Sequence, residues 1–226
     1  KRHGAVSVLE FREQGFLPEA VCNYLMRLGW GHGDEEVIPR ERAVQIFDVD
    51  GIGRAASRMD YAKLTHLNGI YLRQADDDRL AREVLERLAR RTVGFGTEGA
   101  ARIRALMPDL KERAKNLEEL AGSAAFAAHD GPPPMDKKAE ALLTPDAKAR
   151  LLDLAQFLNN LPGWERKDLE AWLRDFAEVK QVKLGQVAQP LRVALTGSTQ
   201  SPPIDAVLWA LGRAEVMNRI LAAAEG

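Results

Sequence analysis

The sequence predicts an all-α protein. Three observations carry that expectation: apolar residues recur at helical spacing along nearly the whole chain, helix-start and helix-stop signals punctuate those runs, and no segment alternates convincingly as a strand would.

The elements follow in order. Leu17, Val21 and Leu25 repeat every four residues after Pro18, a residue suited to a first helical turn, and Gly29 is placed to stop that helix. Asp60 is a capping residue for a helix with Leu64, Leu67 and Ile70 on one face. Leu80, Val84 and Leu88 mark the next, whose polar face is expected to hold Arg79, Arg82, Arg87, Arg90 and Arg91. The charge-dense DLKERAKNLEEL, Asp109 to Leu120, reads as the solvated face of a helix. Thr144 followed by Pro145 starts a helix with Leu151, Leu154 and Leu158 inside. In QPLRVALTGSTQSPPIDAVLWALG, Gln189 to Gly212, an apolar run carrying Arg192 stops at Gly197, and Ser201 with Pro202 repeats the start signal for the last helices.

Two stretches break this pattern. RTVGFGTEG, Arg91 to Gly99, reads as a connection, and HDGPPPMD, His129 to Asp136, reads as a linker or domain edge because three prolines after a glycine cannot continue a helix. No repeat of fixed period points to a solenoid.

Composition narrows the class. The 226 residues are 46% hydrophobic, enough to bury a core, and the 32 Lys and Arg nearly cancel the 33 Asp and Glu, so any polyanion would be held by local basic patches. The lone Cys22 excludes a disulfide framework and a cysteine zinc site, and it fits a reducing, cytoplasmic compartment. His3, His32, His66 and His129 lie too far apart for short-range ligand spacing, so no metal site is expected. No apolar run approaches the roughly 20 residues that span a bilayer, and no signal peptide precedes the first helix, so no membrane partner is expected. The chain begins KRHGAVSV without a Met, which reads as a sequence from which an upstream part has been removed.

Some local patterns imitate chemistry. DVDGIG, Asp48 to Gly53, resembles the start of a calcium loop but lacks the twelfth-position glutamate, so it reads as a capped turn. GFGTEG, Gly94 to Gly99, has the flavour of a dinucleotide loop but follows no strand, so it reads as a flexible connection. A lone arginine in an apolar helix, such as Arg192, ordinarily lays its stem on the core and pairs locally.

Longer blocks carry a family resemblance. KRHGAVSVLEFREQGFLPEAVCNYLMRLGW resembles the stretch of bacterial glutamyl-tRNA synthetases that begins at the end of their KMSKS-type loop. AKLTHLNGIYLRQ, LKERAKNLEELA and QPLRVALTGSTQSPPI are similar to further blocks in the family's order, so the likeness covers essentially the whole chain.

The resemblance implies a C-terminal portion made of a stem-contact region with the loop's tail (1–77), a first anticodon-binding helical subdomain (78–130) and a second (131–226), the last two forming an α-helix cage. It implies tRNA, glutamate tRNA in particular, as the partner of a monomer, alongside a catalytic domain in the same chain. The full-length enzyme would activate glutamate with ATP and Mg and pass it to the tRNA. This portion would hold no cofactor and catalyse nothing. Lys1 matches the loop's second lysine, which stabilises charge on the ATP phosphates.

Arg113 matches the arginine that reads the last anticodon base in discriminating members, and Arg192 matches the second base-reading arginine. Ser201, Pro202 and Ile204 fall on the anticodon-contacting turn. Splayed bases expose Watson–Crick edges that a guanidinium or backbone group can read. Lys63, His66, Asn68, Arg87, Arg90 and Arg91 are weaker candidates for contacts with the tRNA stem. Pro203 and His66 depart from the family, which often has Gly and an aromatic residue there. Two other classes are weighed: a helical protein-interaction scaffold, and a self-sufficient enzyme, for which no nucleophile and base arrangement or phosphate loop is found.

Overall fold

The computed structural model describes residues 7–31, 33–53, 57–91 and 94–225. Among the described residues twelve α-helices follow one another, no β-strand forms, and an isolated antiparallel bridge joins Trp30 to Ile52. The all-α expectation holds. The chain divides into two compact units, Lys1–Val84 with Lys111–Gly122, and Leu85–Leu110 with Ser123–Gly226.

The helices of the N-terminal part are α1 (Val8–Glu13), α2 (Pro18–Gly29), α3 (Arg40–Ile46), α4 (Tyr61–Gln74), α5 (Asp77–Arg90), α6 (Gly99–Lys111) and α7 (Leu117–Ala128). In the first unit α2 packs on α4. Pro18 opens α2 as expected, and Leu17 and Val21 are buried, but Leu25 is exposed, so the four-residue repeat reaches the core only at its first two positions. Asp60 caps α4 by accepting from the N–H groups of Ala62 and Lys63.

Two buried asparagines tie this unit together. Asn23 Oδ1 accepts from the Ile38 N–H and the Tyr71 hydroxyl, both at 2.8 Å. Asn68 Oδ1 accepts from the Leu17 N–H at 2.7 Å while its Nδ2 donates to the Lys115 carbonyl at 2.6 Å. Gly15, at φ +84°, admits the start of α7: a Cβ there would stand 2.8 Å from the Leu117 and Glu118 nitrogens. The DVDG segment forms a capped turn, its Asp48 carboxylate accepting from the Gly51 N–H at 2.6 Å.

Two expectations change here. Leu80, Val84 and Leu88 are fully buried on α5, but Arg87 is buried too and does not share a solvated polar face with Arg90 and Arg91. Arg87 follows Leu80 by seven residues and Val84 by three, which returns it to the apolar stripe. The charge-dense 109–120 stretch is likewise no continuous helix face: α6 stops at Lys111 and α7 begins at Leu117. Asn116 Oδ1 accepts from the Glu119 N–H, and the Glu119 carboxylate accepts from the Lys115 N–H, a reciprocal cap that favours a break.

The second unit gathers α8 (Lys137–Glu140), α9 (Pro145–Asn159), α10 (Arg166–Val179), α11 (Leu184–Thr196) and α12 (Ile204–Glu225), with α9 to α12 packed against one another. Thr144 caps α9 through the Ala147 N–H, and Leu151, Leu154 and Leu158 face the core. Gly197 ends α11 at φ +70°, where a Cβ would lie 2.1 Å from the Pro134 carbonyl oxygen. The final helix begins at Ile204, past the Ser201 and Pro202 signal, because the Ser201 hydroxyl is engaged elsewhere. Gly212, at φ 76° and ψ 157°, breaks α12 in its interior.

Arg219 is the organising residue of this core, with no exposed surface. Its Nε donates to Glu215 at 2.6 Å, Nη1 to the carbonyls of Phe126 and Leu195, and Nη2 to the carbonyl of His129. Burial pushes its pKa down, and the bond to Glu215 opposes that shift. Arg102 donates to His129 and Asp130, and Glu215 accepts from the Gly131 N–H, so the turn after α7 is held from several sides. The GFGTEG segment is not a loose connection either: Gly96 donates to Ala128 at 2.7 Å and Thr97 to Asp130 at 3.2 Å.

Candidate functional site

The second unit contains a built arginine site. Arg192 sits half-buried in α11 between the fully buried Leu191 and Val193, so its stem is fixed by the core and only its head is placed at the helix end. Its Nε donates to Ser201 Oγ at 2.9 Å, and that hydroxyl donates onward to the Pro202 carbonyl at 2.7 Å. Pro202 is buried and Ile204, the first residue of α12, is half-buried. The structure thus brings Arg192, Ser201, Pro202 and Ile204 into one turn, and Thr196 braces it by donating to the Arg192 carbonyl.

Two further arginines, unnoticed in the sequence, hold this turn. Arg219 donates to the Leu195 carbonyl in the last turn of α11. Arg166 forms a bidentate pair with Asp109, at 2.8 and 2.9 Å, and donates from Nε to Asp205 beside Ile204. Its hydrogen bonds to Asp109 and then to Asp205 raise the Arg166 pKa further, so the start of α12 is clamped by a permanent charge. No local sequence signal announces either clamp, since their partners lie far apart along the chain.

The first unit carries the other expected arginine. Arg113 is exposed on the turn after α6, at the edge of an open cleft of about 530 Å³. Tyr61, Thr65, His66, Gly69 and Arg73 of α4 form one wall, and Arg113, Ala114 and Lys115 form the other. The turn is positioned from below by Asn68, whose amide holds the Lys115 carbonyl. Arg73 and Lys115 join the cleft without any motif that singles them out. Arg73 follows Gly69 by four residues and so shares its face, a periodicity visible in the sequence once α4 is known.

The weaker candidates separate by burial. Lys63, His66, Arg90 and Arg91 are exposed, His66 on the cleft wall and Arg90 within 3.9 Å of Glu86. Asn68 and Arg87 are buried, and Asn68 spends its amide on two backbone groups, so neither presents a surface to a polyanion. Lys1 lies outside the described residues. Among the described residues no group of three or more His, Cys, Asp or Glu side chains could hold a metal, and no helix is long and apolar enough to cross a membrane.

Comparison with known proteins gives the site a context. Residues 79–224 match the family model described as the anticodon binding domain. Glutamate–tRNA ligase 1 of Acidiphilium cryptum is 58% identical over 224 residues, which cover 97% of this chain and 47% of that protein. Glutamate–tRNA ligase 1 of Gluconacetobacter diazotrophicus is 58% identical over 225 residues, with 99% and 48% covered. Among solved structures, a glutamate tRNA ligase from Elizabethkingia meningosepticum superposes with a TM-score of 0.80 at 26% identity, over 95% of this chain and 42% of that one. The chain spans about half the length of the curated relatives it matches.

Proposed function

The chain belongs to the anticodon-binding-domain family, and from that premise we propose that it is the tRNA-binding portion of a glutamate–tRNA ligase. The observation that carries the reading is the pinned Arg192: its Nε is held by Ser201, so the guanidinium plane is set before any ligand arrives. A guanidinium fixed in this way can meet the edge of a splayed base with little further loss of side-chain freedom. Pro202 and Ile204 shape the surface beside it, and Arg113 supplies a second guanidinium for the last anticodon base. The family match favours this reading over a protein-interaction scaffold.

Within it, residues 1–77 contact the tRNA stem and 78–130 and 131–226 hold the anticodon. The stem contacts fall to the exposed Lys63, His66, Arg90 and Arg91, where charge matters more than sequence. The whole ligase activates glutamate with ATP and Mg and transfers it to the 3′ end of glutamate tRNA, in the cytoplasm and as a monomer. Lys1 steadies the ATP phosphates in that longer protein, and the present chain has no catalytic role of its own.

The test is an anisotropy titration of the chain with glutamate tRNA and with the same tRNA altered at the last anticodon base, over a range of salt. Binding that weakens with salt and drops on the base change supports the reading. Equal, weak binding of both tRNAs sinks it.

A further inference from the structure

We propose that Trp164 is a positioning residue for base reading: it holds the first half of α12, which starts at Ile204, in place across the break at Gly212. The proposal rests on the anticodon-binding reading and deepens it, by assigning part of the base discrimination to a side chain outside the Arg192 turn.

Gly212, at φ 76° and ψ 157°, interrupts the backbone of α12. A Cβ there would meet no atom within 4 Å, so the position calls for glycine through its conformation and not through lack of space. The first half, Ile204 to Leu211, is about two turns long, a length that is marginal by itself. Ala206, Val207, Leu208 and Leu211 bury its inner face, but apolar burial is non-directional and leaves rotation and sliding open. Two hydrogen bonds supply the direction. Arg166 Nε donates to Asp205 at 2.9 Å, and Trp164 Nε1 donates to the Leu208 carbonyl at 3.0 Å, about one turn further along. Held at both points, the half-helix can neither turn nor slide without breaking one of them.

Trp164 is itself held from the other half. Arg213, the residue after the break, donates from Nη1 to the Asn159 carbonyl at 3.0 Å and from Nη2 to the Leu161 and Gly163 carbonyls at 2.8 and 3.0 Å. Its guanidinium also lies over the Trp164 ring, 5.2 Å from the centroid. Asn159 ends α9 and Arg166 opens α10, so the connection LPGWER, Leu161 to Arg166, accepts from the second half of α12 and donates to the first. Asp109 anchors the same connection through its bidentate pair with Arg166. The connection thereby carries position from one half of α12 to the other, which the helix backbone cannot do at Gly212. Hydrogen bonds to a base edge weaken steeply with misalignment, so a first half free to rotate loses discrimination before it loses contact.

The test titrates the whole chain with glutamate tRNA and with the same tRNA altered singly at each anticodon base. The bases read at the Arg192 turn are those whose penalty Arg192→Lys erases. Trp164→Phe keeps a ring under Arg213 and removes the Nε1 donor, so it should cut the penalty at those bases about threefold to tenfold. The salt slope should stay as in the parent, since no charge is lost. Arg213→Lys, which keeps the charge and loses the fork, should shift the same penalties in the same direction. Thr144→Ala removes the cap at the far end of α9, and it should lower the melting temperature comparably while keeping every penalty. If Thr144→Ala relaxes base preference as Trp164→Phe does, Trp164 acts through stability alone and the proposal fails. It fails too if Trp164→Phe and Arg213→Lys keep every penalty, or if the base read by Arg113 loses its penalty equally. In each of these cases the parent's own preference leaves the anticodon-binding reading standing. A parent that binds all these tRNAs alike, or an Arg192→Lys that erases no penalty, ends both.

Discussion

Arg192 is half-buried in α11 with Ser201 on its Nε, whereas Arg113 stands exposed on a turn at the edge of an open cleft. Each belongs to a different unit of the chain, and each unit treats its arginine differently. The second unit spends two other arginines, Arg166 and Arg219, on holding the Arg192 turn. In the first unit the backbone beside Arg113 is what is fixed, through Asn68 and Glu119 on Lys115. A fork set in advance discriminates through geometry, because a misplaced base edge cannot be followed. An exposed fork adapts, at an ordering cost of about 0.5–1.5 kcal/mol for each side chain immobilised. The expected division is sharp base preference at Arg192 and a larger share of salt-dependent affinity around Arg113.

The largest break in this contrast comes from the support of the fixed side. Arg219→Met removes the charge partner of the buried Glu215 carboxylate and the side-chain donor to the Phe126 and Leu195 carbonyls, so it should destabilise the second unit by about 3–5 kcal/mol, read by urea unfolding. Gly197→Ala comes next: a left-handed φ of 70° with the Pro134 oxygen 2.1 Å from the new Cβ should cost about 1–3 kcal/mol in backbone strain alone, seen as a lower melting temperature.

Arg192→Lys follows in size and acts on binding. It should weaken cognate tRNA binding by about 1–3 kcal/mol and erase much of the penalty for an altered base, because an ammonium keeps the charge and loses the fork. Ser201→Ala should cost about 0.5–1.5 kcal/mol in the same titration by releasing Nε. If Ser201→Ala leaves base preference intact, the pinned side of the comparison is wrong.

The smallest effect is a pH dependence. The hydrogen bond from Arg79 holds the Glu19 carboxyl below its ordinary range, so folded Glu19 binds its proton less readily than unfolded Glu19 does. Its contribution is fully present above the unfolded carboxylate pKa and is lost as pH falls through the lower folded one. Glu19→Gln should therefore flatten the acid limb of the stability curve slightly, as urea unfolding at successive pH values would register.

Helix periodicity and caps were legible in the sequence wherever the determinant is local. Asp60 and Thr144 cap where their residue types direct, and Gly197 stops α11. The charge of Arg87 points to solvent but its position does not: seven residues from Leu80, it lies on the buried stripe. The break at 112–116 hid inside a charged run because a reciprocal cap by Asn116 and Glu119 looks like solvated surface until the turn is seen. The clamps on the Arg192 turn were beyond reach for another reason. Arg219 meets Phe126 at a separation of 93 residues and Arg166 meets Asp109 at 57, and nothing in a local window records such partners.

The break at Gly212 gives α12 the property of a mechanical index. An α-helix passes any insertion along its length as a rotation of about 100° per residue. Here the first half carries Ile204 and Asp205 and the second carries Glu215 and Arg219, with one non-helical residue between them. An insertion just after Gly212 would swing Arg219 away from its carbonyl partners, yet Asp205 would keep its bearing on Arg166. Each half of the helix is therefore aligned by its own arginine, the first through Arg166 on Asp205 and the second through Arg219.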